Sequence, residues 1–218
     1  MVQFPRLVVV PNPGDHSPIL RRPFYADAAS DEVHPVVAVA TGFAAKGLAL
    51  QTLEGLSGGD ARAIVERARK NLASGTRSWQ VAEKSGFIFK KPRLLRGMGD
   101  PTVSPTAMAT DGGGIDDLAS DLVLDPSFML EAGAMLGSSE LIAAIPKRGW
   151  LMVGKCVPGN VPVMVEFNKI AQGIASRGGT HTLTPNCYFV RGGNLVGVSG
   201  EGFFSLLSSD ATTSWNLG

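Results

Sequence analysis

Residues 122–198 contain the strongest local structure signals in the chain, and these signals follow one another in a regular order. Asp125 followed by Pro126 is typical of a helix start, because the carboxylate can accept a hydrogen bond from an unpaired amide and proline suits the first helical position. The helix is predicted to continue to Leu136 and to end at Gly137. The segment therefore opens with a short helix that has a sequence signal at each end.

The remainder of this segment predicts two hairpins and a second helix. Pro162 is predicted to start that helix, and Gly178 and Gly179 are predicted to end it. The strands are expected in pairs, 141–145 with 150–156 around a Pro-Lys-Arg-Gly turn, and 187–191 with 194–198 around a Gly-Gly turn. The C-terminal half of the chain is therefore predicted as helix, hairpin, helix, hairpin.

The N-terminal half predicts a hairpin, a helix and another hairpin. Ser57 lies three residues before Asp60, which is the spacing of a capping box, and Gly75 is predicted to end the helix that follows. The strands of this half are predicted at 7–10, 34–41, 48–53, 76–82 and 86–90. The two halves thus have a similar order of elements.

This order predicts an α+β fold, with antiparallel sheets and with the helices packed on one face. Residues 97–115 concentrate Gly, Pro, Ser and Thr, which is typical of a long loop or linker. We therefore expect an N-terminal half at 1–96, a C-terminal half at 116–207 and a flexible tail at 208–218.

The charge of the chain is nearly balanced, since 20 Lys and Arg residues face 19 Asp and Glu residues among 218. A nucleic-acid site would therefore have to be a local basic patch. The segment from Lys84 to Arg96 offers one, because its basic residues alternate with apolar ones. The same alternation is typical of a strand with a basic outer face, and we favour that interpretation while keeping nucleic-acid binding as an alternative function.

The sequence predicts a cytoplasmic protein that does not cross a membrane. The apolar run VVAVA at 36–40 is among the longest, and a membrane-spanning helix needs roughly 18 to 20 apolar residues. The N-terminal apolar stretch at 7–10 is short for a secretory signal. Cys156 and Cys187 are expected to be free buried thiols, which suits a reducing compartment.

One set of residues raises the possibility of an enzyme. Cys156, His181 and Asn186 follow one another in the chain order of a nucleophile, a base and an orienting amide. A cysteine-dependent hydrolase using Cys156 and His181 is therefore an alternative function. The competing interpretation is that Cys156 ends a buried strand and serves as a small apolar residue, and we prefer it.

No metal or cofactor is expected from the sequence. The acidic residues between Asp111 and Asp125 do not have the spacing of a calcium loop, and several suit turns or helix caps. The histidines at 16, 34 and 181 lack the spacing of zinc ligands, and no phosphate-binding loop of the G-x-x-x-x-G-K-[ST] type is present.

Four stretches together resemble a known family. They are GLSGGDARAIVERARKNL, DLVLDPSFMLEAGAMLG, AAIPKRGWLMV and HTLTPNCYFVRGGNLVGV. The pattern resembles the YtpQ-like family of uncharacterised bacterial proteins over about residues 20 to 200. That family has no established reaction, so the resemblance implies little about activity. The element order is also similar to the fold of type III secretion chaperones, which implies binding of extended protein segments.

These observations favour a non-enzymatic protein that binds or regulates a partner protein, in a chaperone-like or immunity-like manner. Arg148 and Trp150 are the candidate binding residues, because Arg and Trp are enriched at interface hot spots. The competing interpretation is that Trp150 starts a core strand and that Arg148 is a solvated turn residue. The sequence does not specify the oligomeric state.

Overall fold

The computed structural model describes residues 3–11, 21–23, 35–44, 47–52, 54–82, 94–99, 118–156 and 161–199. Strands β1 to β10 span, in chain order, Arg6–Val10, Arg21–Pro23, Val36–Ala44, Gly47–Leu50, Ser78–Ala82, Leu94–Met98, Glu140–Ala144, Met152–Lys155, Cys187–Arg191 and Asn194–Ser199. Helices α1 to α3 span Gly58–Ser74, Pro126–Leu136 and Val161–Ala175. Two 3-10 helices span Ala119–Leu124 and Gly179–His181.

The larger of two sheets combines strands from both halves of the chain. Its six strands lie in the order β10-β9-β7-β8-β6-β5, and each neighbouring pair is antiparallel. Strands β5 and β6 precede the Gly-rich region and β7 to β10 follow it, so one sheet joins the two halves. The predicted α+β class with antiparallel sheets is confirmed. The domain boundaries drawn from the sequence stay a prediction.

The smaller sheet is built around the long strand β3. Strands β1 and β2 pair with β3 in the order β1-β3-β2, and β4 also pairs with β3. Ala40 lies opposite both Arg6 of β1 and Leu50 of β4. A strand residue has one neighbour on each side, so β4 lies on the edge of β3 opposite β1. Among the described strands, β1 therefore forms one edge of this sheet.

Alternation along the strands of the larger sheet produces two apolar faces. Val153 of β8 belongs to a central cluster that also contains residues of α1, α2 and the smaller sheet. Met152, its neighbour, belongs to an outer cluster with Met164 and Phe167 of α3. The sequence predicted helices on one face. Helix α3 instead packs with the outer cluster. The strands carry apolar side chains at successive positions, which is typical of strands that are buried on both faces of a sheet.

The predicted ends of α1 and α2 are confirmed, whereas α3 begins at Val161, one residue before Pro162, and ends at Ala175, before the predicted stop at Gly178. The Ser57 hydroxyl accepts a hydrogen bond from the amide of Asp60 at 3.2 Å, and Gly75 follows the last residue of α1. The Asp125 carboxylate accepts from the amide of Ser127 at 3.0 Å, and Gly137 ends α2 with a φ of 63°. Local capping chemistry thus sets these boundaries.

A network around Arg77 fixes α2 against the end of α1 and β5. The Arg77 guanidinium pairs with the buried Asp125 carboxylate and lies 3.4 Å from Glu131. The Trp79 ring stacks on Phe128 with centroids 4.1 Å apart, and its indole N–H donates to the Phe128 carbonyl at 3.2 Å. The helix cap of α2 therefore also serves as a tertiary contact.

Several sequence expectations differ from the structure or lie outside the residues it describes. Gly97 and Met98 were assigned to the linker, whereas they belong to strand β6. The 3-10 helix Ala119–Leu124 was not predicted, because it is too short to show an apolar period. Residues 100–115 of the loop, the strand at 86–90 and the tail at 208–218 fall outside the described residues.

The turn between β9 and β10 gives a testable prediction about Gly193. Gly193 has a φ of 82°, and a Cβ atom there would overlap the Pro126 carbonyl of α2. Gly192 has a φ of 57°, and a Cβ atom there would meet nothing within 4 Å. We expect Gly193→Ala to lower the free energy of unfolding by about 2 to 5 kcal/mol, because strain and overlap add.

Urea denaturation of both alanine variants measures this difference. Gly192→Ala is the matched control, with an expected cost of about 1 to 2 kcal/mol from its left-handed backbone alone. Equal losses in the two variants would show that the turn does not pack tightly on α2.

Candidate functional site

The edge strand β1 is bound by two side chains from distant parts of the chain. The amide of Val9 donates to the Asp121 carboxylate at 2.8 Å, and Asp121 is fully buried. The carbonyl of the same residue accepts from the Arg148 guanidinium at 2.9 Å. Asp121 lies in the first 3-10 helix and Arg148 in the turn between β7 and β8. We call this arrangement the Val9 clamp, and it holds that turn beside the smaller sheet.

Trp150 lies two residues after Arg148 and has a different environment. Its amide donates to the Lys147 carbonyl at 3.1 Å, which closes the turn, and Gly149 inside the turn has a φ of 73°. The Trp150 side chain is half-buried at the margin of the outer cluster. Arg148 and Trp150 were predicted together as binding residues, yet only Trp150 has a side chain directed away from the clamp.

Two cations flank the Trp150 ring. The guanidinium carbon of Arg96 lies 4.5 Å from the ring centroid, and the ammonium nitrogen of Lys147 lies 5.6 Å from it. Both distances fall within the range of cation–π attraction. We call Arg96, Lys147 and Trp150 together the Trp150 surface. Each of these residues is half-buried.

Strand pairing explains why Arg96 reaches this position. Arg96 of β6 lies opposite Met152 of β8, and the amide of Gly97 donates to the Leu151 carbonyl at 3.0 Å. Residues two apart on a strand share a face, so Arg96 and Trp150 lie on the same face of the larger sheet. Sequence analysis placed Arg96 in the basic segment that begins at Lys84, but not beside Trp150, because this pairing joins residues more than fifty positions apart. Lys147 was recognised only as part of a turn.

The Trp150 surface is electropositive. No ion pair to Arg96 or Lys147 occurs within the part of the chain that the structure describes. The Arg96 Nε and Trp150 Nε1 atoms are buried and have no hydrogen-bond acceptor among those residues. Buried donors are almost always satisfied in folded proteins, so these two nitrogens require an explanation.

The structure separates the residues proposed for a hydrolase. The Cys156 amide donates to the Glu140 carbonyl at 3.0 Å, at the open end of the β7–β8 hairpin. The His181 carbonyl accepts from the Arg148 amide at 2.9 Å, at the turn end. The extended chain from residue 150 to 156 spans about 20 Å, whereas a nucleophile and its base must lie within about 3 Å. Asn186, one residue before β9, lies at the turn end with His181.

The electrostatic environment of Cys156 is also unlike that of a nucleophile. Burial raises the pKa of its thiol, the nearby Glu140 carboxylate raises it further, and the Arg191 guanidinium lowers it. A raised pKa leaves less thiolate at any given pH. Burial and Glu140 outweigh Arg191, so the surroundings of the thiol do not activate it as a nucleophile.

The two cysteines are free and buried, as predicted. The Cys187 thiol donates to the Asn168 amide oxygen at 3.4 Å, on the opposite end of the sheet from Cys156. Cys187 lies opposite Ala144, and Cys156 lies beside Glu140. This offset along β7 corresponds to about 13 Å, beyond the reach of a disulfide.

The acidic residues between 111 and 117 fall outside the described residues, but Asp121 and Asp125 have structural partners. Asp121 binds the Val9 amide and Asp125 caps α2. Across the described ranges, the structure contains no group of three or more His, Cys, Asp or Glu side chains that could hold a metal ion. None of the helices in those ranges has the length and apolar character needed to cross a membrane. Of the basic segment, only Leu94 to Arg96 is described.

Comparisons of the chain with protein-family models, with curated proteins and with solved structures give no match. The resemblance to the YtpQ-like family therefore depends on the sequence motifs alone. The function has to be argued from the site.

The Val9 clamp predicts a stabilising function for Arg148. We expect Arg148→Met to lower the free energy of unfolding by about 1.5 to 3 kcal/mol, because a charged donor to a partly buried carbonyl is lost. Urea denaturation measures the change. Arg177→Met is the matched control, since Arg177 is exposed and donates to the nearby Gly173 carbonyl of α3. Its expected effect is within about 0.5 kcal/mol, and equal effects would contradict the clamp.

The raised pKa of Cys156 predicts slow alkylation in the folded protein. At about pH 8, the Cys156 thiol should react with iodoacetamide more slowly than in urea, because the folded state contains less thiolate and shields the sulfur. The rate should rise as the pH increases, since the thiolate fraction grows. Peptide mass spectrometry distinguishes Cys156 from Cys187 in one sample. Equal rates in the folded and unfolded chains would restore the case for a reactive thiol.

Proposed function

We propose that this protein binds a partner protein at the Trp150 surface and catalyses no reaction. The observation that supports this proposal is that two cations lie beside the half-buried Trp150 ring. They are Arg96 from strand β6 and Lys147 from the turn between β7 and β8. Trp and Arg contribute a large share of the binding energy at protein interfaces. Arg148, the other predicted binding residue, supports the site indirectly through the clamp.

The fixed position of the Trp150 backbone and side chain favours binding of a partner protein. The turn hydrogen bond from the Trp150 amide and the pairing of β8 with β6 and β7 hold its backbone in place. Its side chain packs on the outer cluster. A partner therefore meets a side chain that is already ordered, which reduces the entropy lost on association.

The proposal includes a regulatory function of the chaperone-like or immunity-like kind in the cytoplasm. Free buried thiols are compatible with a reducing compartment. The hydrolase alternative loses its support, because Cys156 and His181 lie at opposite ends of a hairpin.

Site-specific photo-crosslinking in the host cell tests the proposal. Gln80 is exposed and lies opposite Arg96 in the β5–β6 pair, so a photoreactive residue at position 80 would lie beside the Trp150 surface. We expect it to yield a defined protein adduct. Trp150→Ala should weaken the underlying association about thirtyfold, as expected for loss of a hot-spot aromatic worth about 2 kcal/mol, and should remove the adduct.

Leu130→Ala is the matched control, because Leu130 is 54% exposed and lies on α2, on the other side of the larger sheet from Trp150. It should leave the adduct unchanged. Trp150→Phe keeps an aromatic ring and should retain part of the adduct, which separates loss of binding from loss of folding. An adduct that persists in a folded Trp150→Ala variant would overturn the proposal.

A further inference from the structure

The charges of the Trp150 surface are not balanced by the protein itself. Arg96 of strand β6 and Lys147 of the β7–β8 turn lie beside one indole. Within the described residues neither of them forms an ion pair. By contrast, Arg77 and Arg191 pair with carboxylates at their own sites. The positive charges of Arg96 and Lys147 thus lie beside one ring without a carboxylate partner among the described residues.

The unsatisfied donors at the same place have one polarity. Arg96 Nε and Trp150 Nε1 are both N–H donors, and the Lys147 ammonium adds further donors. A carboxylate supplies two acceptor oxygens and a negative charge, and it can bind a guanidinium through parallel hydrogen bonds. Because Arg96 Nε and Trp150 Nε1 are buried, a partner carboxylate would be bound by the terminal nitrogens of Arg96 and by the Lys147 ammonium, which supply the accessible donors and the charge.

We infer that the Trp150 surface recognises an acidic segment of a partner protein, whose carboxylates pair with Arg96 and Lys147 beside the indole. The inference rests on the proposed function and specifies the chemistry of the partner. Asp or Glu side chains would supply the negative charge.

A nucleic acid fits this surface less well. Single-stranded nucleic acids stack their bases on open aromatic faces and lie along grooves with many cations. The Trp150 ring is half-buried and already flanked by Arg96 and Lys147. A pair of cations also neutralises few phosphates.

Fluorescence anisotropy with a defined probe tests the inference. The probe is a fluorescein-labelled peptide of alternating Glu and Ala, and the same peptide with Gln in place of Glu is the uncharged control. We expect the Glu peptide to bind and the Gln peptide to bind much more weakly. Lys147→Gln should weaken binding of the Glu peptide about two- to fivefold, whereas Lys147→Arg should retain it.

The matched control is Lys155→Gln, because Lys155 is an exposed lysine at the far end of β8. It should leave the affinity unchanged. Equal binding of the Glu and Gln peptides, no binding of either, or equal losses in Lys147→Gln and Lys155→Gln would overturn the inference. So would tighter binding of labelled oligo(dT) through Lys147, which would identify the surface as a nucleic-acid site.

Failure of this inference differs from failure of the proposed function. If the host adduct depends on Trp150 but the Glu peptide binds independently of Lys147, the protein-binding proposal stands and the acidic partner is wrong. If the adduct itself survives Trp150→Ala, the proposed function is wrong.

Discussion

The binding of the backbone amide and carbonyl of one residue, Val9, by Asp121 and Arg148 connects the two sheets. Strand β1 forms an edge of the smaller sheet, and edge strands expose amides and carbonyls that must find partners. Here a carboxylate accepts from the amide and a guanidinium donates to the carbonyl. Their opposite charges limit the cost of burial, which is high for a single charge. The clamp therefore fixes the first 3-10 helix and the β7–β8 turn in one position relative to β1.

The position of that turn decides where Trp150 lies. The turn reverses the chain between Arg148 and Trp150, so the guanidinium reaches toward β1 while the indole lies on the opposite face of the larger sheet, near α3. Two residues that look alike as hot-spot candidates thus have separate functions. The clamp holds the turn, and the held turn presents an ordered ring between Arg96 and Lys147.

The sequence predicts the parts of this structure that depend on neighbouring residues. The boundaries of α2 follow from Asp125, Pro126 and Gly137, whose capping interactions act within one helical turn. The Val9 clamp and the position of Arg96 depend on contacts between residues far apart in the chain. The spacing of residues along the sequence does not predict such contacts. Trp150 was therefore found from its residue type, while the position of Arg96 beside it could be found only from the strand pairing.

The nearly neutral total charge of the chain and its electropositive site are compatible, because salt limits the distance over which charges act. At physiological ionic strength the Debye length is about 8 Å, so a partner segment responds mainly to the charges it touches. The net charge of +1 argues against long-range attraction of a polyanion. It does not weaken short-range pairing at Arg96 and Lys147, which lie within 6 Å of the same ring. If the positive and negative charges on the remaining surface balance, an acidic segment gains charge pairing only at the Trp150 surface. This would favour selective binding of the segment at that surface.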